Sequence, residues 1–91
     1  MNIKVLFTKA SGVIVGDVTE HPDGWLVESP AQLVPTRDGV SIAPLILTQL
    51  TEEKAVLIAK QDVMFSGVYT PLVEIRNQYS AIMGSGIQLL A

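Results

Sequence analysis

Turn-forming residues recur between Ile3 and Tyr69 and divide it into short segments. Lys9-Ala10-Ser11-Gly12, His21-Pro22-Asp23-Gly24, Pro35-Thr36-Arg37-Asp38-Gly39, Thr51-Glu52-Glu53-Lys54 and Lys60-Gln61-Asp62 cut this stretch into short apolar or alternating segments. Proline pre-sets its own φ and glycine accepts a positive φ that other residues resist, so such clusters reverse the chain. The segments between them are rich in β-branched residues and read as strands. Ile3, Val5 and Phe7 alternate with Asn2, Lys4 and Thr8 in the pattern of a half-buried strand. Val13 to Glu20 carries Gly16 in its middle, which predicts a bend or the close approach of another backbone. Trp25 to Val34 carries Pro30, which cannot donate to a ladder and predicts an edge or a bulge. Val40 to Leu50 is apolar on both faces and contains Pro44, which disfavours a helix. Ala55 to Ala59 and Val63 to Val68 are two more apolar strands, split by the polar turn Lys60-Gln61-Asp62.

The period changes at the end of the chain. With Thr70 as N-cap and Pro71 at the first helical position, Leu72, Ile75, Tyr79 and Ile82 fall on one helical face, and Gly84 stands where a C-terminal cap is wanted. The spacing predicts one short helix over about 71–83 that covers part of the sheet. It is followed by an apolar segment, 84–91, that needs a partner surface and would order on a neighbouring subunit through its Ser85-Gly86 joint. The expected fold is mainly β: a small, strongly bent sheet or barrel of about five or six strands with one short C-terminal helix, all in a single domain.

Composition narrows the function classes. Apolar residues make up 48% of the 91 and charged residues 16%, against a usual charged share of about 25%. A small domain with so few charges leaves apolar side chains with nowhere to hide, which favours an oligomer. The absence of cysteine excludes disulfides, thiolate metal sites and cysteine nucleophiles. The longest apolar run, Ala43 to Leu47, falls far short of the roughly 20 residues of a membrane-spanning helix. Met1 to Thr8 has the pattern of a strand and not of a signal peptide, so the expectation is a soluble cytoplasmic protein. The basic residues Lys4, Lys9, Arg37, Lys54, Lys60 and Arg76 are scattered, and the net charge is −3. No general electrostatic grip on phosphate is visible.

Two stretches carry a family resemblance. Lys9-Ala10-Ser11-Gly12-Val13-Ile14-Val15-Gly16-Asp17-Val18 resembles the first Sm motif, a strand, a turn ending in glycine and a second strand with an internal glycine. Val56-Leu57-Ile58-Ala59-Lys60-Gln61-Asp62-Val63-Met64-Phe65 resembles the second, a strand, a tight polar turn and a final strand. Over about residues 2–69 the chain is similar to the Sm-like family, in particular the short Sm-like proteins of tailed phages. The resemblance implies an Sm-like barrel whose last two strands pair between subunits into a ring of about five to seven copies, in the host cytoplasm if phage-encoded. The interface would involve Val56, Ile58, Val63, Phe65 and Val68. It also implies single-stranded RNA at the inner rim, held through Lys60, Gln61, Trp25 and His21. The sequence departs from the family pattern there: His21-Pro22-Asp23-Gly24-Trp25 contains no asparagine, and Lys60-Gln61-Asp62 replaces an Arg-Gly turn. The alternative is a structural or adaptor protein, in phage assembly or regulation, that keeps the ring without RNA, and the acidic net charge favours it because charge sums over a ring.

Each candidate residue also has a plainer role. Lys60 and Gln61 suit an ordinary polar turn, and a lone tryptophan starting a strand more often caps a core or an interface than stacks a base. Glu20, His21 and Asp23 are crowded into one hairpin without the spread a tetrahedral metal site needs. Ser11, Ser29, Ser41, Ser66, Ser80 and Ser85 lack a nucleophile-elbow context, Glu52 and Glu53 suit a solvated loop, and Gly84-Ser85-Gly86 follows a helix where phosphate cradling requires it to precede one. The sequence therefore predicts no catalytic residue, no metal and no cofactor. A small enzyme or ligand-binding barrel would need convergent polar groups that it does not offer.

Overall fold

The computed structural model describes residues 2–84. They form strands β1 (Ile3–Thr8), β2 (Gly12–His21), β3 (Gly24–Thr36) and β4 (Gly39–Pro44), helix α1 (Ile46–Leu50), strands β5 (Ala55–Ala59) and β6 (Val63–Tyr69), and helix α2 (Val73–Tyr79). A 3₁₀ turn, Lys60–Asp62, joins β5 to β6, and a π-helical turn, Ser80–Gly84, extends α2. The strands make one antiparallel sheet in the order β4-β3-β2-β1-β6, with β5 pairing β3.

β3 is long enough to serve two partners. Its first half, Gly24 to Glu28, pairs with β5, and its second half, Ala31 to Thr36, pairs with β4. Between the halves, Ser29 and Pro30 face the single residue Gly16, since the register passes from Val15↔Ala31 to Asp17↔Glu28. This is the bulge that Pro30 and Gly16 predict. Backbone groups at the bulge find partners elsewhere: Ser29 N–H donates to the Lys54 carbonyl and Leu45 N–H to the Pro30 carbonyl, both at 2.9 Å, and the Tyr79 hydroxyl donates to the Ser29 carbonyl at 2.8 Å. Gly16 fits because a Cβ there would stand 2.5 Å from Val27 Cγ1 and 3.0 Å from the Glu28 carbonyl oxygen.

The bend lets the two ends of the sheet share one core. Leu6, Ile14, Val18 and Val27 pack with Leu45, with Ile58 of β5 and with Val63 of β6. The sheet is nevertheless unclosed, because β5 and β6 are not paired with each other. On the opposite face Ile3, Val5, Val15, Ala31 and Ile42 pack against Tyr79, with Ile75 and Met83 beside it. β1 is thus covered on both faces, and Thr8, expected on a polar face, is buried with its hydroxyl donating to the Gly12 carbonyl and accepting from Ser11 N–H.

Two expectations are corrected. α1 forms where Pro44 argued against a helix: the proline precedes the turn, and the Gln49, Thr48 and Thr51 side chains donate to the carbonyls of Pro44, Leu45 and Leu47. α2 starts later than predicted, with Leu72 as N-cap and no side-chain cap. Thr70 Oγ1 instead accepts from Lys4 Nζ at 2.9 Å. The buried face becomes Ile75, Tyr79 and Met83, and Leu72 and Ile82 are exposed. The apolar segment expected at 84–91 lies, beyond Gly84, outside the described residues. No helix among the described residues is long and apolar enough to cross a membrane.

Candidate functional site

The 3₁₀ turn between β5 and β6 is hydrogen-bonded to the turns at both ends of β2. Lys9 N–H donates to the Asp62 carbonyl at 2.9 Å and Ala10 N–H to Asp62 Oδ1 at 3.1 Å, which ties down the β1–β2 turn. Lys60 N–H donates to the Asp23 carbonyl at 3.4 Å, which ties down the β2–β3 turn. Gly24 permits this junction. It pairs with Ala59, and a Cβ on it would overlap the Ile58 carbonyl oxygen.

This arrangement brings Trp25 and Lys60 together beside the hairpin that carries His21, with Gln61 exposed on the 3₁₀ turn. Their environment differs from an open binding surface. Trp25 is half-buried against the core, paired with Ile58 on one side and Glu20 on the other. Lys60 Nζ lies 5.9 Å from the centre of its ring, a cation–π contact that occupies an indole face. His21 Nδ1 accepts from Asp23 N–H at 3.0 Å. The same nitrogen stands 4.0 Å from Asp23 Oδ2. Lys9 and Lys60 are the basic residues of this rim, and Asp23 and Asp62 stand among them. Lys4 is held at Thr70, Lys54 lies beside Ser29, Arg37 is in the β3–β4 turn and Arg76 is on α2. Among the described residues no three His, Asp or Glu side chains gather as metal ligands would.

The expected interface residues divide between the core of the subunit and its surface. Ile58 and Val63 belong to the core of the subunit, and Val56 and Val68 pack half-buried against it. Phe65 is 63% exposed, and Leu57, Met64 and Tyr69 are exposed beside it on β5 and β6. β5 and β6 contain no charged residue and each leaves one edge unpaired among the described residues.

Sequence reasoning missed an irregularity in β6. The register with β1 passes from Leu6↔Val68 to Phe7↔Met64, so Phe65, Ser66 and Gly67 loop out. Phe65 and Ser66 adopt φ of 60° and 59°, a left-handed conformation costing L-residues about 1–2 kcal/mol each. The loop puts the Phe65 ring edge-on to Phe7 at 5.4 Å, and the Tyr69 hydroxyl donates to the Phe65 carbonyl. Gly67 inside a strand pattern was the available signal. Behind these rings a groove of about 250 Å³ is lined by Val5, Phe7, Val13, Leu33, Ile75 and the Tyr69–Leu72 segment.

No protein-family model matches this chain, and no curated protein matches it as a relative.

Proposed function

We propose that this chain is a non-enzymatic Sm-like barrel that assembles head to tail into a homo-oligomeric ring and serves as a structural or adaptor protein. The observation that carries the reading is the pair of uncharged edges that β5 and β6 leave unpaired among the described residues, with Leu57, Met64 and Phe65 exposed beside them. Soluble proteins guard such edges with lysine, proline or a covering element. Two such edges at opposite ends of a bent sheet suit pairing of β5 in one subunit with β6 in the next, and repetition of a head-to-tail contact closes a ring. The 3₁₀ turn at Lys60–Asp62, between strands where the second Sm motif is matched, agrees with the same reading. An adaptor also needs contact surface, and Ile46, Leu47 and Leu50 of α1 with Leu72 and Val73 at the start of α2 offer it.

Leu57→Lys tests the edge. A lysine on β5 would stand in the intersubunit ladder but in solvent on an isolated subunit, so the variant is expected to keep its circular dichroism and sediment as a smaller species than the wild type. An unchanged assembly mass would overturn the edge-pairing reading.

Single-stranded RNA at the rim is the second reading, favoured by Lys9, Lys60 and Gln61 lying around the 3₁₀ turn. The neighbouring Asp23 and Asp62, the dispersion of the other basic residues and a net charge of −3 per subunit oppose it. Titration of a labelled single-stranded RNA at near-physiological salt decides between them. The adaptor reading predicts no saturable binding, whereas binding that Lys60→Ala weakens would establish the RNA reading.

A further inference from the structure

The apolar surface presented by α1 and by the start of α2 has a nearer claimant than a foreign protein, and the ladder along β3 shows why. Pro44 pairs with Ala31, Leu45 N–H donates to the Pro30 carbonyl, Ser29 N–H donates to the Lys54 carbonyl, and Ala55 pairs with Glu28. β4 and β5 therefore follow β3 as one strand, from which residues 46–53 are looped out at a single point. β2 occupies the other side of β3, so the loop leaves from the free edge of the sheet. α1, inside this loop, does not fold back onto either core. Among the described residues none of its side chains is buried, and Ile46 and Leu50 are 66% and 76% exposed. A second exposed pair, Leu72 and Val73, follows the end of β6 at the opposite edge.

We propose that in the ring α1 of one subunit packs on Leu72 and Val73 of the next. The contact rests on the pairing of β5 with β6 proposed above and adds its direction. Every strand pair of this sheet is antiparallel, and an antiparallel pair is the more stable per residue. Antiparallel pairing sets the start of β5 against the end of β6. Ala55, where the chain returns from the loop, then lies towards Tyr69 of the next subunit, just before Leu72 and Val73. Two surfaces that each subunit leaves in water thus cover one another, Ile46, Leu47 and Leu50 against Leu72 and Val73. Charge agrees with this pairing: Glu52 and Glu53, at the foot of the loop, approach the neighbour's Lys4, which is held at Thr70. A parallel ladder would instead carry α1 towards the neighbour's 3₁₀ turn, away from both residues.

The chain has no cysteine, so introduced thiols report this contact alone. Leu50→Cys with Leu72→Cys, mildly oxidised, is expected to give covalent multimers up to the size of the ring on a denaturing gel, because each subunit is bonded to two neighbours. Leu50→Cys with Glu20→Cys, an exposed position on β2, sets the background. The native mass of the reduced protein is measured in parallel. A ring whose multimers form no faster than background, or whose disulfides stay within single chains, overturns this contact and leaves the edge pairing standing. A monomer overturns both. Independently, Leu50→Asp, exposed on the single subunit, is expected to keep the circular dichroism and to raise the concentration at which the ring dissociates by about tenfold or more. An unchanged dissociation concentration contradicts the proposal.

Discussion

Replacing Gly24 with alanine probes the junction on which both the fold and the rim depend. The φ of Gly24 lies outside the left-handed region, so glycine stands there for space and not for conformational freedom. An added Cβ would overlap the Ile58 carbonyl oxygen and stand 2.9 Å from the Ile58 carbonyl carbon and 3.0 Å from Ala59 Cα. All three are backbone atoms of β5, so no side-chain rotation relieves the clash and the strand itself must retreat. Overpacking of this kind costs about 1–3 kcal/mol. Retreat also strains the ladder at Gly24↔Ala59 and the Lys60-to-Asp23 hydrogen bond, worth about 1 kcal/mol each. We expect a loss of about 3 kcal/mol, which a domain stable by about 5–15 kcal/mol survives. At about 1.5 kcal/mol per molar urea, the midpoint falls by about 2 M. Trp25, the sole tryptophan, neighbours the site, and its fluorescence should be followed beside far-ultraviolet circular dichroism at one protein concentration, since assembly makes stability concentration-dependent. A loss below about 1 kcal/mol would mean that β5 is not held against Gly24 as described, and the account of the rim would fail with it.

Burial, and secondarily the charge of Asp17, pushes the Tyr79 hydroxyl up to about 12 from its usual 10. The stability this group contributes is fully present below pH 10 and is lost as the pH rises towards 12. Thermal melts across that window should fall more steeply for the wild type than for Tyr79→Phe, which should itself be about 1 kcal/mol less stable at neutral pH through loss of the bond to Ser29. Ser66→Gly is expected to stabilise by about 0.5 kcal/mol, since it relieves a left-handed conformation at an exposed site against a smaller entropic cost in the unfolded chain. An unchanged or lowered thermal midpoint would contradict this. Thr8→Val leaves the Gly12 carbonyl and Ser11 N–H without their partner and should cost about 1–2 kcal/mol in urea denaturation.

Local chemistry made much of this fold legible in the sequence. Turn residues set the limits of β5 and of the 3₁₀ turn, and Pro30 with Gly16 marked the bulge that lets β3 change partners. The grouping of His21, Trp25 and Lys60 came only from the family resemblance, since no local pattern links a hairpin to a turn so far along the chain. Legibility ended where both faces of a segment are apolar, because a period of two then carries no information on which face is inward. Ile58 and Val63 thus turn into the core while Leu57 and Met64 turn out. α1 escaped because its stability lies in side chains capping carbonyls across Pro44, and α2 started late because Thr70 meets Lys4, distant in sequence. The groove depends on how far α2 covers the sheet, a tertiary outcome that no local pattern encodes.

The central claim is the ring, and the solution mass of the untagged protein tests it most directly. Native mass spectrometry over a range of concentrations at near-physiological ionic strength is expected to show one dominant species of about five to seven subunits. A monomer persisting across that range would contradict the pairing of β5 with β6.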